Sequence, residues 1–99
     1  MTTEFKFKWT EGTSNWDKYY HMYTEYRGVR YSAGYSTGLK RMTIGFLMKD
    51  MREFETLKAI RFYGPDQNNK ALREKAMHKV EELVLSGKME ELIYNQRFN

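Results

Sequence analysis

"VRYSAGYSTGLKRMTIGFLM", residues 29–48, decides the fold. Val29, Tyr31, Ala33 and Tyr35 alternate with Arg30, Ser32 and Gly34, the period-two signature of a half-buried strand. The stretch "STGLK" turns the chain, and Met42, Ile44, Phe46 and Met48 resume the alternation on the way back. Residues 29–48 therefore read as an antiparallel hairpin with one apolar face.

Working outward toward the N-terminus, Arg27-Gly28 supplies a turn or bulge, because glycine takes positive φ at no steric cost. Before it runs "WDKYYHMYTEY" from Trp16, rich in tyrosine and free of Gly and Pro, which favours a strand. Its even positions, Trp16, Tyr20, Met22 and Tyr26, form the more apolar set. Asp17, Tyr19, His21, Tyr23 and Glu25 form the wetter one. "EFKFKWT" alternates Phe5, Phe7 and Trp9 with Lys6, Lys8 and Thr10 and also reads as a strand, with "EGTSN" as the turn after it.

Working outward the other way, Leu47, Met51, Phe54, Leu57 and Ile60 recur at helical spacing, so residues 49–63 are expected to be helical. An extended reading competes, because Phe54, Ile60 and Phe62 would also alternate. Gly64-Pro65 stops that element and "DQNN" offers N-cap chemistry for the next. From Lys70 to Leu85, the residues Leu72, Ala76, Val80, Leu83 and Val84 form one apolar stripe, ended by Ser86-Gly87. "KMEELIY" adds a short final turn or two and "NQRFN" is expected to fray. The expectation is a single α+β domain: a three- or four-stranded antiparallel sheet packed by two or three C-terminal helices. Residues 1–48 are mainly β in this reading, 49–95 mainly α, and 96–99 a frayed tail.

Composition narrows the function classes. The 99 residues are 40% hydrophobic and 30% charged, with no cysteine, which excludes a disulfide framework and a thiolate metal site. No apolar run reaches the length of a membrane span or a signal peptide, so the expectation is a cytoplasmic protein with no membrane partner. The net charge is +4, and it is unevenly spread. Residues 1–45 carry seven Lys/Arg against four Asp/Glu, whereas residues 64–99 carry six against six. A modest positive field over the aromatic half favours anionic partners.

Catalytic signatures are missing. The histidines, His21 and His78, have no ligand-spaced companions of the kind zinc requires, and no cofactor is implied. Ser32 and Ser36 lack a nucleophile elbow. The acid pairs Glu81-Glu82 and Glu90-Glu91 diverge around a helix and read as solvated faces. Glycines 28, 34, 38 and 45 fit neither phosphate-loop pattern, and Gly38-Leu39-Lys40-Arg41 reads as a hairpin turn, with a phosphate held by its N–H groups and two cations as the alternative. The chain is therefore read as a binding protein and not an enzyme.

"YRGVRY" at residues 26–31 resembles the opening of the plant-type AP2/ERF DNA-binding domain. The resemblance implies a sheet whose arginines contact nucleic acid, and it transfers to Arg27 and Arg30 alone. The family's later tryptophans and small-residue helix pattern are absent here, so membership is not assigned.

The residues nominated for binding are Arg27, Arg30, Tyr31, Lys40, Arg41 and Tyr23, clustered around the hairpin with Tyr19 nearby. Phenol rings stack on bases and cations neutralise phosphates, so nucleic acid is the leading partner. Tyr and Arg also dominate protein interfaces. The alternative is accordingly a small interaction or inhibitor module, of the viral host-takeover or accessory type, that docks on an acidic protein surface. A third reading makes the tyrosines mere cover for a thin core, and a homo-oligomer is compatible with all of them.

Overall fold

A computed structural model describes residues 4–13, 20–36, 41–63 and 70–98. It contains five strands: β1 (Thr10–Thr13), β2 (Tyr20–Tyr26), β3 (Val29–Ser36), β4 (Arg41–Leu47) and β5 (Glu55–Tyr63). Two helices follow, α1 (Lys70–Ser86) and α2 (Lys88–Phe98). The strands form one antiparallel meander in the order β1-β2-β3-β4-β5. The α+β class stands, with five strands in place of three or four.

The expected strands of the hairpin pair antiparallel, Ala33 opposite Ile44 and Tyr31 opposite Phe46. The β2–β3 connection is Arg27-Gly28, with φ of 51° and 82°. Positive φ at both central residues matches the right-handed strand twist, which is why two residues suffice. The inward set of β3 and β4 meets α1 and α2. Tyr31, Ile44, Phe46 and Leu57 pack with Val80, Leu83, Met89 and Ile93, beside a smaller cluster of Ala33, Met42, Ala76 and Met77. The helical stripe expected at 70–85 is the one that packs, and Gly87 (φ 83°) turns α1 into α2.

Three local expectations change. Residues 55–63 are strand, which moves the β-to-α boundary beyond residue 63. The β4–β5 register explains the misleading spacing. Thr43 pairs with Arg61 but Gly45 pairs with Thr56, so β5 holds extra residues between the two pairs. That bulge resets the alternation, and both Leu57 and Ile60 turn toward the core at a separation that imitates a helix.

The second change lies at the N-terminus. Phe5, Phe7 and Trp9 do turn inward from exposed Lys6 and Lys8, but residues 4–9 form no strand. They make an arm across α1, and β1 begins at Thr10 and runs into the expected turn as far as Thr13. The third lies at the C-terminus, where α2 runs on to Phe98 in place of a frayed tail. Gln96 holds it: its side-chain oxygen accepts from Lys58 N–H at 2.8 Å and its amide donates to Thr56 C=O at 2.9 Å and to Glu55 Oε2 at 2.7 Å. Trp16, Asp17, Tyr19, Lys40, the Gly38–Leu39 turn, Gly64-Pro65 and the "DQNN" cap lie outside the described residues.

Candidate functional site

Because both helices pack against the inward set, alternation turns the other set of side chains to the face that the helices leave free. Register places Thr10, Tyr23, Ser32, Gly45 and Thr56 in one row across all five strands. Glu25, Arg30 and Leu47 form a row on one side, and Gly34, Thr43 and Arg61 a row on the other. Arg41 lies one pleat further along β4. The middle of the face is low. A Cβ placed on Gly45 would stand 2.5 Å from Ser32 Oγ and 3.6 Å from the ring of exposed Phe54, so that ring lies on this face too.

The face is basic. Lys8 borders the same shallow depression as Tyr23, Glu25 and Arg30. Together with Arg30, Arg41 and Arg61 this gives, among the described residues, four cations against Glu25. Arg30 Nε meets Glu25 Oε1 at 3.4 Å with both side chains more than half exposed. A pair of that kind contributes about 0–1 kcal/mol and yields readily to a competing anion. Arg41 is half-buried, and its Nε is a buried donor with no hydrogen-bond partner.

Of the nominated residues, Arg30, Arg41 and Tyr23 share this face. Tyr31 does not. It is 4% exposed beneath the helices, because it occupies the inward set with Ala33, and it is corrected from contact to core. Burial, with the Glu90 carboxylate as a lesser cause, pushes its phenol above the ordinary value of 10.0. Arg27 sits at the hairpin end, its guanidinium 5.3 Å from the Tyr26 ring centre, and borders a different feature, an apolar groove. Lys40 lies outside the described residues. Arg61 and Phe54 are not legible as site residues in the sequence, because the helical spacing over residues 49–63 hides the alternation of β5.

The groove has a volume of about 600 Å³ and lies between the β2–β3 turn and the α1–α2 junction. Val29, Tyr31, Met48, Val84, Met89 and Ile93 form its apolar floor and walls, all buried or half-buried. Leu85, Tyr94 and Phe98 stand on its rim at 48%, 59% and 67% exposure.

A third constellation is structural. Glu81, expected on a solvated face, is 4% exposed. Its Oε2 accepts from Lys6 N–H (2.9 Å), Phe7 N–H (3.0 Å) and Trp9 Nε1–H (3.0 Å). Phe5 stacks on His78 and Phe7 on Tyr26, so one buried carboxylate and two ring pairs hold the arm. Among the described residues no group of three or more His, Cys, Asp or Glu could hold a metal ion, and no helix is long and apolar enough to cross a membrane. No family model matches the chain, and no curated protein or solved structure matches it.

Proposed function

We propose that this chain is a non-enzymatic nucleic-acid-binding protein that receives a single strand on its uncovered sheet face. The observation that carries the reading is the segregation of charge and cover: the helices take one side, and among the described residues the other side offers Lys8, Arg30, Arg41 and Arg61 with Glu25. Ser32, Gly34 and Thr43 keep its centre low, and the Phe54 ring lies against Gly45 beside them. Tyr23 and Phe54 supply rings at that level, in place of the buried Tyr31. Stacking on such rings is tolerant of sequence, and the cations neutralise phosphates.

Titration of a fluorescent oligonucleotide at several salt concentrations tests the reading. Four phosphate contacts on a single strand give a slope of log K against log salt of about −3. Arg41→Ala and Arg61→Ala should each reduce that slope by about one half to one. Affinity indifferent to salt, or none at low salt, would remove the proposal. The interaction-module reading is favoured by one observation, the exposed apolar rim of the groove. It requires that Phe98→Glu abolish a complex that survives nuclease treatment.

A further inference from the structure

The groove carries an inference independent of the sheet face. Its edge presents large apolar side chains to solvent, while its interior offers an apolar hollow. A small molecule lodged in the hollow would leave Leu85, Tyr94 and Phe98 wet, so the rim calls for a partner surface. The patch also bears two opposite charges, Arg27 on the hairpin turn and Glu90 on the first turn of α2. Neither makes an ion pair with another described residue.

Projections, hollow and both signs of charge therefore coexist on one surface. A symmetric two-fold interface has this requirement, because the same patch must complement itself.

We infer that the groove is the contact between two copies of this chain, related by a two-fold axis, with the rim of each copy covering the hollow of the other. Arg27 of one copy then faces Glu90 of its mate, twice.

Light scattering coupled to size exclusion, over a concentration series of the full chain, tests the inference. The expected result is a mass moving to twice the 12.0 kDa of one chain as concentration rises. Arg27→Glu and Glu90→Arg should each weaken the dimer by about tenfold or more, and the two together should restore it. Phe98→Glu should leave a monomer; because Phe98 is exposed, its far-ultraviolet spectrum should match the parent's. The inference is overturned by a single-chain mass at every concentration, by a dimer indifferent to Phe98→Glu, or by charge reversals that fail to rescue one another. Oligonucleotide binding by Arg41→Ala is read separately, so loss of either proposal leaves the other standing.

Discussion

Glu81 shows how one side chain can replace a strand. The arm has no neighbouring strand to satisfy its amides, and a buried unpaired N–H costs as much as a lost hydrogen bond. A single carboxylate on α1 takes two of those amides and the Trp9 indole, while the Thr24 hydroxyl donates to Lys8 C=O at 2.8 Å. Glu81→Ala would strand three donors and should cost about 2–4 kcal/mol in urea unfolding. Glu81→Gln keeps an acceptor and should lose less. Equal stability of parent and Ala variant would contradict this role. Tyr31 gives a pH dependence whose sign is fixed. Its folded phenol titrates above the unfolded value of 10.0, so the folded state favours the neutral form. That contribution is whole below pH 10.0 and is lost as pH climbs from there through the raised folded value. Tyr31→Phe, lacking the proton, should flatten this part of the alkaline unfolding curve, followed by circular dichroism.

At the scale of elements, β5 and α2 depend on each other. The bulge that turns both Leu57 and Ile60 inward leaves backbone groups of an edge strand without a ladder partner. The Gln96 amide answers them as a peptide group would, accepting from Lys58 and donating to Thr56. Exposed strand edges invite pairing with other chains, and covering them with a side chain is one remedy. Gln96→Ala should lower stability by about 1–2 kcal/mol. It should also speed hydrogen exchange at the Lys58 amide more than at amides in the centre of β3. Unchanged Lys58 protection would show that the edge is satisfied in another way.

For the whole molecule, the layering fixes what can be a surface. The extents of 33 × 32 × 21 Å match one sheet and one layer of helices. Phe46 and Ile44 share a cluster with Val80, Leu83 and Ile93, so sheet and helices should unfold as one unit. Phe46→Ala should cost about 3–5 kcal/mol. The near- and far-ultraviolet transitions should shift together, and separate midpoints would mean that the helices fold apart from the sheet. A chain with one apolar layer between sheet and helices has an outer sheet face that the helices do not cover. The cations Arg30, Arg41 and Arg61 occupy it because they alternate with core residues or pair beside them.

The sequence by itself determined the central hairpin, the long helix and its glycine stop, since each is written in a local period of apolar residues or in a turn residue's permitted φ. It also placed Arg30, Arg41 and Tyr23 on the wetter side of their strands, and it set the α+β class. Only the tertiary structure decided that residues 55–63 are a strand. A bulge there borrows a helix-like spacing, and the alternative was settled by pairing with β4. Only packing sealed Tyr31 and sank Glu81: alternation says which side a ring takes, while distant helices and a distant arm decide whether that side is covered. Such contacts join residues far apart in the chain, and local periodicity holds no record of them.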